Sequence, residues 1–193
     1  RRGAKIEPED ILEKHNMKLP LVLKVLNTSG GRGVFLARDE KELCALLRMS
    51  QFGASHIELI AQEFLEESKG MDVRVWVIGD KAYGACKRFN ETDFRSNVGQ
   101  GGFPHAFELD EEGKQIAVRA SMILGLDWSG VDLLLAHKDP VTGKCHWRVG
   151  EVNSSPGWDK DSDKLIDYNL GDIIVEHICH KYNIETPIPK NDK

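Results

Sequence analysis

The sequence has no apolar run long enough to span a lipid bilayer. Its longest apolar stretches, LPLVLKVL and GVDLLLA, fall far short of the roughly 18 residues that a transmembrane helix requires. No signal peptide opens the chain. We therefore expect a soluble, cytoplasmic protein that has no membrane partner.

Basic residues are too few and too scattered to indicate nucleic acid as a ligand. The 193 residues include 26 Lys and Arg against 31 Asp and Glu, a formal net charge of -5, and no basic run forms a stripe for a phosphate backbone. The length fits one domain of ordinary size, or two small lobes that share a core.

Cysteine is scarce, and its spacing does not suit a metal site or a disulfide framework. The four cysteines form no C-x-x-C pair. Two of them are followed directly by His, but neighbouring residues in a strand face opposite ways and a second ligand pair at metal spacing is missing. We expect neither structural zinc nor disulfides.

Several catalytic motifs are also missing. The segment SGGRG is followed by neither the Lys-Ser/Thr of a Walker loop nor the third glycine of a dinucleotide-binding loop. The H-R-D and D-F-G motifs of protein kinases are absent, and no convincing Ser-His-Asp or Cys-His arrangement is present.

Regular patterns predict strands paired by hairpins and interrupted by helices, which is an α+β organisation. Alternation on both sides of Gly79-Asp80 predicts one hairpin, and Asp139 to Gly143 predicts the turn of another. Helices are expected at about residues 8–16, after Asp39, over the segment ELDEEGKQIAVRASMILGL and at about 165–182. In the third helix the expected apolar face consists of Ile116, Ala120, Ile123 and Leu124. The polar, glycine-rich segment NETDFRSNVGQGGFP is predicted to be a loop over a site.

The segment GEVNSSPGW suggests a cation site. Glu151 and Asn153 are two residues apart in a predicted strand, so their side chains share a face. With Asp132 of the earlier apolar strand SGVDLLLA, they would supply oxygen ligands suited to Mg²⁺. Two ordinary strands with solvated acids are the alternative, although carboxylates and amides are poor strand formers.

Ser29 to Gly33 form a glycine loop between two predicted strands, where backbone N–H groups could approach a phosphate. A tight hairpin turn explains these residues equally well. Lys24 favours the phosphate, because an unpaired ammonium within an apolar strand would be costly. An ion pair with one of the acids is the alternative for Lys24.

Five ordered segments resemble ATP-grasp ligases of the ribosomal protein S6 glutamate-ligase type, and the resemblance covers nearly the whole chain. The segments are LVLKVLNTSGGRGVFLA, AQEFLEESKGMDVRVWVIG, KRFNETDFRSNVGQGG, GLDWSGVDLLLA and GEVNSSPGW. The resemblance implies an ATP-grasp domain over residues 1–193, with a small lobe to about 63 and a large lobe from about 64. It also implies an ATP-dependent ligase that phosphorylates a carboxylate to an acyl phosphate, which an amine then attacks.

Position by position, the resemblance also implies residue roles. Lys24 would contact the ATP phosphates, Glu63 and the backbone after it the adenine, and Asp72 the ribose. Arg95 and Asn97 would meet the γ-phosphate and the acyl phosphate and, with Lys24, form the catalytic set. The implied ATP contacts are Lys24, Ser29, Gly30, Gly31, Gly33, Gln62, Glu63, Phe64, Leu65, Asp72, Arg95 and Asn97.

The implied metal ligands are Asp132, Glu151 and Asn153, which would hold Mg²⁺, with Glu151 bridging two ions and Mn²⁺ able to substitute. The implied substrate contacts are Arg74, Lys87, Arg88 and Ser154. Partners would be ATP, a carboxylate and an amine such as glutamate, from an amino acid, a peptide or a protein tail, and a homo-oligomer is possible.

Two departures from the family pattern affect these expectations. The family carries an N-terminal domain and a further ATP-contacting lysine, and the 23 residues before Lys24 are too few to contain both, so we expect a fragment. Gly99-Gln100 stand where the family has His-Arg, which puts the substrate in doubt more than ATP. A non-catalytic ATP-binding regulatory module and a phosphotransferase are the alternatives to a ligase.

Overall fold

A computed structural model describes residues 6–52, 57–158, 160–185 and 187, apart from the side chains at 100 and 160–162. The chain divides into two units, residues 1–66 and 67–193. The sequence placed a lobe boundary at about residue 63. None of the described helices is long and apolar enough to cross a membrane.

The first unit is a three-stranded antiparallel sheet with helices packed on one face. Its described elements are α1 (Pro8–Leu12), β1 (Leu21–Val25), β2 (Val34–Ala37), α2 (Glu40–Ser50) and β3 (Leu59–Glu63). The strand order is β2-β1-β3. Asp39 begins α2, because its side chain accepts a hydrogen bond from the Glu42 N–H at 2.8 Å. The buried core consists of Leu21, Leu23, Ala37, Leu43 and Leu47.

The second unit is built on a five-stranded antiparallel sheet. Its described strands are β4 (Met71–Ile78), β5 (Lys81–Phe89), β6 (Phe103–Ala106), β7 (Trp128–Lys138) and β8 (Cys145–Asn153). Its described helices are α3 (Glu111–Ile123), α4 (Lys160–Ile166) and α5 (Leu170–Tyr182), with short 3₁₀ turns at Glu66–Ser68 and Val98–Gln100. The strand order is β6-β5-β4-β7-β8. Ile78 pairs with Lys81 across Gly79-Asp80, so the predicted hairpin is confirmed.

Each face of this sheet has its own apolar core because β4 alternates strictly. The core on the α3 side contains Val73, Val75, Val77, Ala85, Leu109, Ala117, Val131, Leu133 and Trp147. The core on the other face contains Trp76, Ile78, Cys86, Ile166 and Leu170, the last two from α4 and α5. The opposite face of β4 also carries Asp72 and Arg74, so one half of that face is charged.

The predicted apolar face of α3 was partly wrong. Ile116 and Ala120 do pack against the core, but Ile123 and Leu124 are 73% and 58% exposed. The buried positions are Gly113, Ala117 and Ser121, four residues apart, because small side chains let the helix lie close to the sheet.

Three other predictions of elements were wrong in part. The first helix ends at Leu12 rather than near residue 16, because the polar residues 13–15 offer nothing to the core. The last two residues of the segment expected to be a loop, Phe103 and Pro104, begin β6, which pairs with β5 at the edge of the sheet. The last helix is two helices, interrupted by Asp167 at φ 58° and by the N-cap Asn169.

Candidate functional site

Strand register brings four charged residues to one face of the five-stranded sheet. Asp72 on β4 lies opposite Arg88 on β5, and Arg74 on β4 lies opposite Asp132 on β7. Paired residues share a face, as do residues two apart, so all four side chains lie on the side away from α3.

These four side chains form one connected network of ion pairs. Arg74 holds both carboxylate oxygens of Asp132, donating to Oδ1 through Nε and to Oδ2 through Nη2, the latter at 2.8 Å. Arg88 holds Asp72 in the same two-pronged way, with Nε 2.7 Å from Oδ1. Arg88 Nη2 is also 2.9 Å from Asp132 Oδ2 and so joins the two pairs. Planar guanidinium groups suit such bidentate bonding.

The network is buried and electrically balanced. The four side chains are 8 to 12% exposed, and two positive charges face two negative ones. Burial alone would raise the pKa of Asp132, but the hydrogen bonds and charge of Arg74 and the nearby Arg88 outweigh it and hold that pKa below its usual range. Burial would lower the pKa of Arg88, which Asp72 and Asp132 instead raise. Asp132 and Arg88 therefore remain charged near neutral pH.

Burial also changes the Cys86 thiol, which lies beside the network on β5. Desolvation raises its pKa to about 11, although Arg88 and Arg74 act in the opposite direction. This thiol is therefore a poor nucleophile at neutral pH.

Gly130 makes room for Arg74. A Cβ at this position would lie 2.6 Å from Pro156 Cβ and 3.0 Å from Arg74 Cδ. The stem of Arg74 therefore runs over the backbone of β7 beside the buried Pro156, and a larger residue would push it away from Asp132.

The three expected metal ligands lie on this same face. Asp132 pairs directly with Glu151 across β7 and β8, and Asn153 pairs with Gly130. Glu151 is exposed, and its carboxylate has no hydrogen bond or ion pair within the described part of the chain. Asn153 Nδ2 donates to the Gly130 carbonyl at 3.5 Å, so its Oδ1 can serve as a ligand.

A β-bulge determines which way Glu151 points. The register passes from Asp132–Glu151 to Leu133–Val149, with Gly150 as the extra residue. If the same residues paired without a bulge, alternation would place Gly150 opposite Asp132 and Glu151 opposite Val131, on the face covered by α3.

The residues present fit a magnesium ion. Two carboxylates and an amide oxygen are the hard ligands that Mg²⁺ takes, with water or phosphate completing the shell. No group of three His, Cys, Asp or Glu with metal-binding geometry occurs among the described residues, and the expected set includes the amide of Asn153 as its third member.

Arg95 and Asn97 lie in the loop between β5 and β6. Arg95 forms a two-pronged ion pair with Asp93, with Nη2 2.6 Å from Oδ2 and Nε 3.0 Å from Oδ1. Asn90 shapes the loop from within, since its Oδ1 accepts hydrogen bonds from the Thr92 N–H at 3.0 Å and the Asp93 N–H at 3.2 Å. Asn97 precedes the 3₁₀ turn.

Two glycines hold this loop against the sheet. Gly70 has φ 67°, and a Cβ there would lie 2.4 Å from the Asn90 carbonyl oxygen. A Cβ at Gly102 would lie 1.9 Å from the Ser96 carbonyl oxygen. The backbone therefore approaches at distances that only glycine permits.

In the first unit, Lys24 and Gln62 share the sheet face opposite α2. Lys24 pairs with Val34 and Ile60, and Gln62 pairs with Val22, whereas the buried Leu21 and Leu23 alternate to the other face. Lys24 is half-buried and has an interaction partner.

The glycine loop follows β1 and turns sharply. Gly30, Gly31 and Gly33 all have positive φ angles, at 66°, 75° and 71°. The Val25 N–H donates to the Gly33 carbonyl at 2.8 Å, which closes the loop. Gly33 also packs against Val25, where a Cβ would meet the valine side chain at 2.9 Å. The strand-loop-strand expected here is confirmed; phosphate binding stays a prediction.

The remaining expected residues lie at or after the ends of strands or on the other face of the five-stranded sheet. Glu63 is the exposed last residue of β3, and the Phe64 N–H donates to the Pro20 carbonyl at 3.4 Å, with Leu65 following. Ser154 is exposed just after β8. Lys87 pairs with Val73 and therefore lies on the α3 side of the sheet, away from Arg74 and Arg88.

Sequence reasoning missed the residues that support these side chains. Asp93 is the partner of Arg95, and Gly130 opens the channel for Arg74. The extra glycine of the bulge orients Glu151. The D-F-R spacing could have indicated the pair of Asp93 and Arg95, because a carboxylate two residues before an arginine can accept hydrogen bonds from it. Close packing at a glycine leaves no signal in a single sequence.

Comparison with protein families gives one match over most of the chain. A model of the RimK-like ATP-grasp domain matches residues 3–178. A probable alpha-L-glutamate ligase of Legionella pneumophila (strain Corby) is 37% identical over 175 residues, 90% of this chain and 54% of that protein. One from Vibrio parahaemolyticus serotype O3:K6 is 38% identical over 160 residues, 81% and 50% of the two chains. The chain thus spans about half the length of the curated relatives it matches.

Solved structures resemble the fold at low identity. The ATP-grasp ligase PsnB, complexed with a phosphomimetic variant of its minimal precursor, Mg and ADP, has a TM-score of 0.62 at 19% identity, over 91% of this chain and 51% of that one. D-alanine–D-alanine ligase of Bacillus anthracis, complexed with ATP, has a TM-score of 0.64 at 19% identity, over 89% and 56%. At these identities the likeness shows the fold alone.

Proposed function

The chain belongs to the RimK-like ATP-grasp domain family, and we propose that it acts in an ATP-dependent ligase that joins a carboxylate to an amine. The α+β ATP-grasp fold predicted from the sequence is confirmed. The observation that best supports the activity is the pairing of Asp132 with Glu151, with Asn153 on the same face. These oxygens suit a cation that accompanies ATP phosphates.

In this proposal, the residues that the family resemblance implies contact ATP. Lys24 and the glycine loop bind the phosphates, because an ammonium and exposed backbone N–H groups are the donors that phosphate oxygens accept. The residues from Gln62 to Leu65 bind the adenine, and Asp72 binds the ribose hydroxyls.

The proposed reaction has two steps. A carboxylate oxygen of the acceptor attacks the γ-phosphorus, and the bond from that phosphorus to the β,γ-bridging oxygen breaks, which gives an acyl phosphate and ADP. An amine then attacks the acyl carbon, loses a proton and expels inorganic phosphate, which leaves an amide.

The first step brings two anions together, so its barrier falls when fixed positive charge is present. Arg95, held in place by Asp93, and Lys24 would supply that charge, and Asn97 would donate a hydrogen bond. A bound Mg²⁺, with two ions expected and Mn²⁺ as a substitute, would add positive charge beside the phosphate oxygens.

The relatives' name suggests L-glutamate as a substrate, and we propose that it is the amine and that a peptide or protein carboxylate is the acceptor. PsnB, whose structure is complexed with a minimal precursor, is consistent with a peptide acceptor. Arg74 and Arg88 are engaged by carboxylates of the chain itself, which favours a supporting role for them over direct substrate contact. Ser154 is exposed and remains a proposed substrate contact.

The test measures phosphate release from ATP with Mg²⁺, an acceptor peptide with a free C-terminal carboxylate, and L-glutamate. We expect release that needs both the carboxylate and the amine, and a peptide mass increased by one glutamate or more. Glu151→Gln should abolish release, whereas Arg38→Gln, which removes an exposed ion pair with Glu42, should not.

Two outcomes would contradict the ligase. ATP binding without release in the presence of any carboxylate and amine would favour a nucleotide-binding regulatory module. Phosphate transfer to an acceptor that needs no amine would favour a phosphotransferase.

A further inference from the structure

The expected cation site has only the formal negative charge of Glu151 in excess before ATP binds. Two of its three expected ligands are acidic, but the charge of Asp132 is balanced within the network of Asp72, Arg74 and Arg88. Glu151 is therefore the only expected ligand in the described part of the chain that carries an unbalanced charge.

The oxygens of Asp132 are also mostly occupied. Oδ1 accepts from Arg74 Nε, and Oδ2 accepts from both Arg74 Nη2 and Arg88 Nη2. A carboxylate offers about four lone-pair sites, so roughly one remains for a cation. A cation at that site would lie close to the guanidinium of Arg74, and like charges repel strongly where water is excluded.

Arg74 contributes more to this block than Arg88 does. Arg74 makes two of the three hydrogen bonds to Asp132, while Arg88 shares one Nη2 with it and holds Asp72 with the rest of its fork. The stem of Arg74 also passes close to Gly130 beside Pro156, which directs its guanidinium group at Asp132.

We propose that Arg74 controls metal loading: while it holds Asp132, a free divalent cation binds poorly, and the cation is retained only together with nucleotide phosphates. A triphosphate supplies negative oxygens to both partners, since guanidinium groups bind phosphate in the same bidentate way. The ordering would keep the site from filling with metal in the absence of ATP. This inference rests on the proposed ATP and metal site.

The experiment measures Mn²⁺ binding by the loss of the free-ion electron paramagnetic resonance signal, with and without a non-hydrolysable ATP analogue. We expect the wild-type chain to bind free Mn²⁺ at least tenfold more weakly than Mn²⁺ with the analogue. Removing the positive charge in Arg74→Gln should strengthen free Mn²⁺ binding by about tenfold. Arg74→Lys, which keeps the charge, and the exposed control Arg38→Gln should bind free Mn²⁺ as the wild type does.

Weaker Mn²⁺ binding in Arg74→Gln would overturn the proposal. If Arg74 merely orients Asp132, Arg74→Gln will weaken Mn²⁺ binding instead, as loss of a supporting residue does, and the proposal is wrong. Circular dichroism checks that Arg74→Gln folds. If it does not, the wild-type comparison decides, because equal Mn²⁺ affinity with and without the analogue overturns the proposal.

Failure of the underlying site is recognised separately. Glu151→Gln should weaken Mn²⁺ binding in the presence of the analogue. If it has no effect there, the assignment of the metal site is wrong, whatever Arg74 does.

Discussion

Replacing Asp132 with Asn should destabilise the second unit far more than replacing an exposed aspartate. The change leaves Arg74 without a carboxylate and Arg88 with only Asp72, so the buried network of four residues acquires one uncompensated positive charge. Loss of one partner of a buried pair costs about 3 kcal/mol or more. Asp127→Asn is the matched control, because its side chain is 47% exposed and an exposed pair contributes at most about 1 kcal/mol.

A double-mutant cycle then separates charge balance from side-chain loss. Arg74→Met alone leaves a net negative charge, but Arg74→Met combined with Asp132→Asn leaves the balanced pair of Asp72 and Arg88. We expect the double variant to be more stable than the sum of the single effects predicts, by about 2 kcal/mol.

Urea unfolding followed by tryptophan fluorescence is the assay. All four tryptophans lie in the second unit, and two of them, Trp76 and Trp147, are only 2% and 6% exposed. The fluorescence therefore reports on the unit that contains the network. Equal losses for Asp132→Asn and Asp127→Asn, or a double variant whose loss equals the sum of the single losses, would refute the reasoning.

Three further predictions concern other parts of the second unit. Because burial raises the pKa of Cys86 to about 11, N-ethylmaleimide at pH 7.5 should label the partly exposed Cys44 well before Cys86, as peptide mass spectrometry would show. Because the thiol ionises at lower pH in the unfolded state than in the folded state, the folded state loses stability as pH rises from about 9 towards about 11. Cys86→Ala should remove this contribution to the pH dependence of the unfolding free energy. A variant with the same pH dependence as the wild type would contradict the prediction. Gly102→Ala should expose the loop at residues 90–102 to limited proteolysis, because its Cβ would lie 1.9 Å from a backbone oxygen. Gly157→Ala is the control and should not increase cleavage, because nothing lies within 4 Å of a Cβ there. Equal cleavage of the two variants would contradict the prediction. Asp110→Ala should lower the unfolding free energy, measured by urea titration, by about 2 kcal/mol. The reason is that Asp110 caps α3 and accepts a hydrogen bond from the Trp147 N–H at 3.2 Å. A change near zero would show that neither contact contributes to stability.

Elements set by local chemistry could be predicted from the sequence. Alternation on either side of Gly79-Asp80 has a period of two, and only a hairpin satisfies it, so this prediction held. Asp39 gave the start of α2 for an equally local reason, since a carboxylate accepts from the N–H groups at a helix N-terminus.

Elements set by distant packing could not be predicted in this way. The strand β6 exists because the edge of β5 offers it hydrogen bonds, and its own sequence, FPHA, has little strand character. The buried face of α3 follows Ala117 and Ser121 because the sheet demands small residues, whereas apolar periodicity alone favoured Ile123.

The candidate site likewise combines residues that local patterns predict with contacts that depend on distant packing. Strand periodicity is enough to place Glu151 and Asn153 on one face, and the acid within the apolar strand SGVDLLLA adds Asp132 to them. Neither reveals that Arg74 and Arg88 already bind that carboxylate, because the contact depends on the register among β4, β5 and β7.

The bulge at Gly150 determines on which face of the sheet the residues of β8 after it lie. Because of the extra glycine, Val149 and Glu151 lie on opposite faces although they are two residues apart, so the usual alternation fails at this one position. A sequence alignment that slides a gap across this position would therefore equate residues on opposite faces. Among relatives of this chain, loss of the bulge glycine alone would leave Glu151 opposite Asp132, whereas a one-residue deletion between Glu151 and Asn153 would place these two side chains on opposite faces.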